Sequence, residues 1–281
     1  MSPVDVASQR PAVDADFAQS GRLRRALPLR VGSALMLVVA GVVGAMAFLW
    51  PLVVRPAGAE QYATRAPFIL GVLLGVVVLL VLVDLSSNSV DVKALALLGV
   101  LTAIGAVLRP LGAGTAGIEL VFFLVILGGR VFGPGFGFGQ GVLTLFASGL
   151  LTGGVGPWLP YQMIATGFVG LVAGLLPPAT RGVREIALLC GWGAVSAFLF
   201  GLAMDFAFWP YATGLHGQLS WDPQASVWHN LHTFLLYTLA TSLAWNIGRA
   251  ITNIMALAVV GPGVLRVLRR ANRRAFFAGE D

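Results

Sequence analysis

The chain has 281 residues and a formal net charge of +6; 57% of its residues are hydrophobic, 11% are charged, and its mean hydropathy is +0.86. A soluble domain carries about 25% charged residues, so this composition excludes a cytosolic enzyme, a nucleic-acid-binding domain and a disordered protein. The length excludes a single-span anchor, and the one cysteine, Cys190, excludes a disulfide framework or a cysteine-rich metal site.

Residues 1–30 mix Asp and Arg with few large apolar side chains, so no hydrophobic core can form there. We predict a disordered cytosolic tail over 1–30. The apolar segment that follows is too long for a signal peptide, and no A-x-A-like cleavage site comes after it. We therefore expect no cleavage.

Eight apolar segments follow, and they predict an all-α, polytopic membrane helical bundle of eight spans with both termini inside. The third, fourth and fifth segments have roughly 15 residues each and reach about 22 Å, less than the hydrocarbon thickness of about 30 Å. We therefore expect these three to pack inside the bundle. In chain order, the segments are 31–54, 66–83, 94–108, 118–132, 137–151, 160–176, 186–209 and 231–260.

Lysine and arginine are distributed unevenly between the two sides of this topology. Of the 18 basic residues, Arg55, Arg65 and Arg109 fall outside and Arg249 lies within the last span. An excess of basic residues inside is typical of membrane proteins, and charge spread along one membrane face does not form a nucleic-acid groove. The inner group is Arg10, Arg22, Arg24, Arg25, Arg30, Lys93, Arg130, Arg181, Arg184, Arg266, Arg269, Arg270, Arg273 and Arg274.

Small residues spaced four apart recur in the apolar segments. In lipid, helices associate through close packing, which such pairs permit, so they predict a tightly packed bundle. The glycine-rich stretch 128–141 lacks the Gly-Lys-Ser/Thr ending of a phosphate loop and predicts a tight inner turn between two helices. The pairs are Gly71 with Gly75, Gly99 with Ala103, Thr102 with Ala106, Gly137 with Gly141, Gly170 with Gly174, and Ala197 with Gly201.

Five polar side chains fall within or at the ends of the predicted spans, where each is costly unless it is paired or hydrated. For Asp205, two interpretations stay open: an interhelical salt bridge with Arg249, or a ligand contact. Glu119 opens the fourth segment, where an acidic residue suits the helix dipole. The remaining two are Asn246 and Asn253.

Aromatic and polar residues gather in three predicted outer loops, which follow the third, fifth and seventh segments. Aromatic rings with Arg, Asn, Gln and His beside them can close over a ligand. His229 and His232 share a helical face and, with His216, offer metal ligands, but ordinary hydrogen bonds are the favoured interpretation and we predict no metal. The aromatic residues at the predicted outer ends are Trp50, Trp158, Trp209, Tyr211, Trp221 and Trp228.

The sequence contains no Walker A motif, no Gly-x-Ser-x-Gly elbow and no His-Glu-x-x-His. It also lacks the two-half repeat of many secondary transporters. These absences favour a solute-binding membrane subunit that takes its energy from another protein. Two other classes stay open: a membrane-embedded enzyme that uses Asp222 with the three histidines, and a scaffold that binds only a partner.

Three segments carry a resemblance to a known family: residues 93–110 (KALALLGVLTAIGAVLRP), 127–144 (LGGRVFGPGFGFGQGVLT) and 153–175 (GGVGPWLPYQMIATGFVGLVAGL). From about Lys93 to the C-terminus, the chain resembles the substrate-binding S component of energy-coupling factor (ECF) transporters. In the third segment, the run GPWLPYQM before a glycine-rich helix is similar to a subgroup that includes cobalamin-type S components.

The resemblance implies a six-helix bundle in the bacterial cell membrane that binds a vitamin at its outer side, with a cobalamin-like ligand favoured and no permanent cofactor. It also implies docking onto a transmembrane coupling protein with two ATPase subunits, and a toppling of the bundle that releases the ligand inside. The implied docking residues are Ala96, Gly99, Ala103 and Ala106. The implied substrate-binding residues are Arg109, Trp158, Tyr161, Gln162, Asp205, Trp209, Trp228, His229 and Asn246.

The predicted domains are the tail 1–30, a two-span extension 31–92, a six-helix substrate-binding domain 93–262 and a basic cytosolic tail 263–281. The extension departs from the family pattern, and it either packs on the bundle or recruits a partner. Because the cobalt and nickel members bind metal through an N-terminal His and this chain begins Met-Ser-Pro, we do not expect that branch.

Overall fold

The structure is a computed structural model that describes residues 31–53, 59–87, 92–112, 115, 117–177, 182–211 and 219–277. The predicted tail 1–30 and His216 lie outside these residues. Within them the chain forms ten α-helices and two short 3-10 helices, Arg109–Gly112 and Trp209–Tyr211, and no strand. The α-helices are α1 (Val31–Val53), α2 (Ala59–Ser87), α3 (Val92–Leu108), α4 (Val121–Phe132), α5 (Pro134–Thr152), α6 (Leu159–Leu175), α7 (Val183–Phe208), α8 (Val227–Thr241), α9 (Leu243–Val259) and α10 (Gly261–Phe277).

The all-helical membrane architecture is confirmed, whereas the count of eight spans stays a prediction. Among the described residues, four helical stretches are long and apolar enough to cross a membrane: Val31–Leu52, Val92–Gly112, Pro134–Thr152 and Val183–Tyr211. The pair α9 and α10, bent by 62°, makes a fifth if it is counted as one span. The segments between them form shorter apolar helices.

The three short predicted segments, which correspond to α3, α4 and α5, differ in how deeply they are buried in the bundle. Every residue of α4 except Arg130 is buried, and α5 is mostly buried, as expected for helices inside a bundle. In contrast, α3 exposes one face, on which Leu95 is 59% and Val100 is 56% exposed. Because the 3-10 turn continues α3 as far as Gly112, this helix is longer than the sequence predicts and can face lipid.

The structure corrects the last predicted span, 231–260, which is two helices separated at Ser242. The Ser242 hydroxyl donates to Asp205 Oδ1 at 2.6 Å, and the Thr241 hydroxyl donates to the Tyr237 carbonyl at 2.7 Å. A hydroxyl that bonds the carbonyl four residues earlier, as that of Thr241 does, often bends a helix. Most of the predicted basic tail 263–281 is helical, because α10 extends from Gly261 to Phe277.

Glycines bring the backbones of α4, α5 and α6 into direct contact. A methyl group added at Gly137 would overlap the carbonyl group of Gly170, and one added at Gly170 would overlap that of Gly137. At Gly141, an added Cβ would lie 2.5 Å from the Thr166 carbonyl oxygen. The small-residue contacts that the sequence predicts here are therefore confirmed, with Gly129 of α4 completing the junction against Gly170.

The glycine-rich stretch 128–141 does form a tight turn between two helices. Gly133 has φ +103°, a backbone conformation that residues with a Cβ rarely adopt, and it ends α4. Pro134 follows at the first position of α5, where the missing N–H costs nothing. The predicted tight turn is confirmed, and its place on the inner side of the membrane stays a prediction.

The N-terminal hairpin of α1 and α2 packs on α6 and α7, so of its two expected roles the structure shows packing on the bundle. The Phe48 ring meets the Tyr161 ring edge-on at 5.3 Å between centroids. The Trp221 indole donates to the Pro51 carbonyl at 2.9 Å, which attaches the connection after α7 to the end of α1. On α2, Gly71 lies against the Pro157 carbonyl.

An ion triad around the buried Glu185 joins α4, α7 and α10 at the end of the bundle where α4 stops, here called the Arg130 end. Glu185 is 1% exposed and accepts 2.7 Å hydrogen bonds from Arg130 and from Arg269 of α10. Arg130 also donates to the Leu176 carbonyl after α6, and Asn272 donates to the Val131 carbonyl. These bonds attach α10 to the bundle.

We predict that Gly170→Ala destabilises the protein by about 1–3 kcal/mol, because the added methyl group must separate α5 from α6. The matched control is Gly191→Ala on α7, where an added Cβ meets nothing within 4 Å. Thermal unfolding in detergent is the measurement, with a lower midpoint for Gly170→Ala and an unchanged or raised midpoint for Gly191→Ala. Equal midpoints would contradict the glycine contact.

Candidate functional site

A cavity of about 230 Å³ opens at the opposite end of the bundle, here called the Arg109 end. Four pieces of chain form it: the 3-10 turn after α3, the loop before α4, the end of α5 and the start of α9. Its lining combines two arginines, one carboxylate, two hydroxyls and an indole. The lining residues are Arg109, Pro110, Gly112, Gly117, Ile118, Glu119, Ser148, Thr152, Trp245 and Arg249.

Gly117 allows the loop before α4 to lie directly on α9. It has φ +81°, and an added Cβ would overlap the Trp245 carbonyl oxygen and lie 3.0 Å from the Arg249 amide nitrogen. A turn leads into this position, because the Ile118 N–H donates to the Thr115 carbonyl at 2.8 Å. The close approach brings Glu119 within reach of Arg249.

Arg109 joins three helices at one wall of the cavity. Its Nη2 donates to Gln162 Oε1 of α6 at 3.0 Å, and its Nη1 lies 3.5 Å from the Ser148 hydroxyl of α5. Both acceptors are neutral. The structure therefore brings together two residues of the predicted substrate set: Arg109, which lines the cavity, and Gln162, which bonds to Arg109 but does not line the cavity.

Arg249 pairs with Glu119, and not with Asp205. Its Nε donates to Glu119 Oε2, while its Nη1 donates to Asn246 Oδ1 at 2.7 Å and to the Ala197 carbonyl at 3.3 Å. The guanidinium also lies 5.1 Å from the centroid of the Phe200 ring, close enough for a cation–π contact. Asp205 is engaged by Ser242, so its interhelical partner is a hydroxyl.

A row of small residues on α7 leaves space for the Arg249 side chain and its polar neighbours on α9. Gly193, Ala197 and Gly201 lie one turn apart, and α9 sets Asn253, Arg249 and Asn246 against them. Asn253 donates to the Gly193 carbonyl at 3.2 Å. A Cβ at Gly201 would overlap the Asn246 amide, so the predicted small pair of Ala197 and Gly201 serves a polar contact.

Three predicted substrate residues are packed inside the protein and do not line the cavity. Tyr161 is 4% exposed against Phe48, and Trp209 is 1% exposed and donates to the Leu219 carbonyl at 2.9 Å. Asp205 is 8% exposed. Asn246, at 2%, reaches the cavity only through its bond to Arg249.

The remaining three predicted substrate residues are exposed and stand away from the cavity lining. Trp158 is 40% exposed, and its indole donates to the Gly154 carbonyl at 3.1 Å. Trp228 is 79% exposed on the first turn of α8. His229, also exposed, uses its backbone N–H to bond the Ser226 cap. Among the described residues, His, Cys, Asp and Glu form no group of three suited to a metal.

The predicted docking residues divide between two sides of α3. Ala96, Gly99 and Ala103 are exposed, and an added Cβ at Gly99 meets nothing within 4 Å. Ala106 is 5% exposed and faces the bundle. Beside it, Gly105 packs on the Thr144 side chain of α5.

Of the ten lining residues, the predicted substrate set contains only Arg109, although two of the predicted outer loops contribute to the lining. Glu119 and Arg249 stand out as charges in apolar segments, but 130 positions separate them and no spacing rule joins them. Ser148 resembles any small residue of a packed helix. Trp245 lies within the predicted last span, where the break at Ser242 was not expected.

A second, apolar groove of about 330 Å³ runs between α1, α6 and α7. Gly41, Phe168 and Trp192 are among its lining residues, and Ser196 contributes its one hydroxyl. Because it offers so few groups to orient a ligand, it is a weaker candidate than the cavity at the Arg109 end.

A family model described as "ECF transporter, substrate-specific component" matches residues 93–261, more than half of the chain. The chain belongs to this family. No curated protein and no solved structure matches it. As an ECF substrate-specific component, it is a multi-pass membrane subunit for transport and not an enzyme, and such subunits work with a transmembrane T component and ATPases. The match begins at Lys93, the predicted boundary, and leaves α1 and α2 outside it.

We predict that Arg249→Met lowers the free energy of unfolding by about 2–3 kcal/mol, because it leaves Glu119 and the Asn246 amide without their partner. Arg270→Met, which changes an exposed arginine of α10, is the matched control. The midpoint of thermal unfolding in detergent, followed by tryptophan fluorescence, should fall for the first variant alone. A similar midpoint for both would mean that the Arg249 network adds no stability.

Proposed function

We propose that this ECF subunit binds a vitamin-like micronutrient in the cavity at the Arg109 end and passes it inward when docked on the energised coupling module. The observation that carries the proposal is the combination of Arg109, Glu119 and Arg249 at one cavity of a substrate-specific component, with Gln162 bonded to Arg109. Ionisable side chains in membrane-spanning segments are costly to bury, and where they line a cavity they often mark a substrate site.

The distribution of basic residues supports an outward-facing cavity, with both termini inside, in the bacterial cell membrane. At the Arg109 end, the basic residues of the described helices and turns are Arg65, Arg109 and Arg249, and the last is neutralised by Glu119. The Arg130 end is far richer in positive charge, as the cytoplasmic side of a membrane protein usually is. Its basic residues are Lys93, Arg130, Arg184, Arg266, Arg269, Arg270 and Arg273.

The exposed face of α3 supports docking onto the T component. Ala96, Gly99 and Ala103 follow one another along that face, and the larger apolar residues Leu95 and Val100 flank them. Small residues let a partner helix approach closely in lipid, where apolar burial alone gives little affinity. Ala106 faces the bundle, so the proposed docking surface consists of the other three small residues.

The size of the cavity favours a small ligand. Pockets for drug-sized molecules measure about 300–1,000 Å³, and this cavity has about 230 Å³. A cobalamin-like ligand, which the resemblance favours, is larger than a drug-sized molecule. We therefore propose a compact micronutrient with one ring or a short chain, and the cobalamin-type subgroup stays a prediction.

We predict that Gly99→Leu blocks uptake and leaves ligand binding unchanged, because its side chain fills the proposed docking surface far from the cavity. Gly191→Leu on α7 is the matched control, since an added Cβ there also meets nothing within 4 Å. The ligand is first identified by mass spectrometry of small molecules released from the purified protein. Its binding is then measured in detergent, and its uptake in cells that express the coupling module.

Two outcomes would count against this proposal. If Gly99→Leu transports like the wild type, the α3 face is not the docking surface. If no small molecule is released and none of the water-soluble vitamins binds the purified wild-type protein, the cavity does not serve substrate binding.

A further inference from the structure

We propose that the substrate carries a carboxylate or phosphate group and that Arg109 is the residue that binds it. This inference rests on the proposed function, because it names the chemical class of ligand for the same cavity. It goes further in assigning one end of the ligand to one side chain.

The cavity lining carries more positive than negative charge. Three ionisable residues line it: Arg109, Glu119 and Arg249. Glu119 is engaged by Arg249, so the described lining has two positive groups and one negative group. One positive charge is left over, and it lies on Arg109.

Arg109 bonds only to neutral side chains among the described residues. Among the described residues, no carboxylate lies within 4.0 Å of its guanidinium, whereas Arg130, Arg249 and Arg269 each have one. Its partners are the neutral oxygens of Gln162 and Ser148, the latter at a long 3.5 Å. A guanidinium has five N–H donors, so most of its donors remain for a ligand.

The two neutral partners hold the guanidinium in position without neutralising it. Gln162 on α6 and Ser148 on α5 fix it from two helices, which suits a planar group that binds an anion through two parallel hydrogen bonds. An arginine that served only to join helices would be expected to have an acidic partner, as Arg130 has in Glu185.

The other groups of the cavity complete the description of the ligand. The Trp245 side chain is 41% exposed and supplies an apolar ring surface, and Glu119 can accept hydrogen bonds from hydroxyl or N–H groups. The cavity therefore suits a compact acid with an apolar body and a hydrogen-bond donor. A cationic ligand would be repelled by the excess positive charge of the lining.

The test compares acids with their neutral counterparts on the purified full-length protein in detergent. The probes are nicotinate with nicotinamide, biotin with biotinamide, and pantothenate with pantothenol, together with the cation thiamine and the neutral riboflavin. Binding is measured by tryptophan fluorescence and thermal shift, and any molecule released from the purified protein is identified by mass spectrometry. The variants are Arg109→Gln, Arg109→Lys and, as the matched control, Arg270→Gln.

We expect the bound molecule to be an acid, and its neutral counterpart to bind about 10- to 100-fold more weakly, the usual effect of losing a charged hydrogen bond. Arg109→Gln should lower the affinity for the acid by a similar factor and Arg109→Lys by a smaller one, whereas Arg270→Gln should leave the affinity unchanged. The comparison of acid with neutral analogue uses the wild-type protein, so it stands even if an Arg109 variant does not fold.

Two results would overturn the inference in distinguishable ways. If a neutral or cationic molecule binds saturably, and wild type and Arg109→Gln bind it with the same affinity, the inference of an acidic substrate is wrong. The proposed binding function then remains intact. If no molecule is released and no probe binds, the proposed function fails, and the inference fails with it.

Discussion

The contact of α5 with α6 through Gly137 and Gly170 determines where the cavity's side chains lie. The two backbones touch at these glycines and again where Gly141 meets Thr166, so the helices remain close toward the Arg109 end. There, Ser148 and Gln162 come near enough for one guanidinium to bond both. Larger residues at the glycines would move the two acceptors apart, so helix packing and the geometry of the cavity depend on the same contact.

Small residues also determine the packing of α7 against α9, where they leave space for polar side chains. Gly193, Ala197 and Gly201 have almost no side chain, so their carbonyls are open to Asn253 and Arg249 from the neighbouring helix. In lipid a polar side chain needs such an internal partner. Glycine and alanine on α7 thus allow charged and amide side chains on α9. Because Arg249 has this internal partner, it is held at the cavity, where it pairs with Glu119.

The sequence predicts what is local and periodic in this protein. The apolar segments, the turn at Gly133 and the small-residue contacts follow from composition and spacing, and Lys93 marks the start of the family match. The pairing of Glu119 with Arg249 and the break at Ser242 depend on contacts between distant segments, which no local pattern encodes. The resemblance likewise names residue types near a site, but it does not tell which of them, such as Trp209, face inward.

The N-terminal hairpin is compatible with docking because of where it packs. Phe48 lies against α6, and the end of α1 bonds the Trp221 indole beyond α7, so these two helices receive the added pair. Gly99 on α3 remains exposed in the presence of the hairpin. The two additional helices therefore enlarge the bundle on one side while the proposed docking surface stays open to the T component. A rigid bundle that topples would carry the hairpin with it, which requires the coupling module to accommodate a wider subunit.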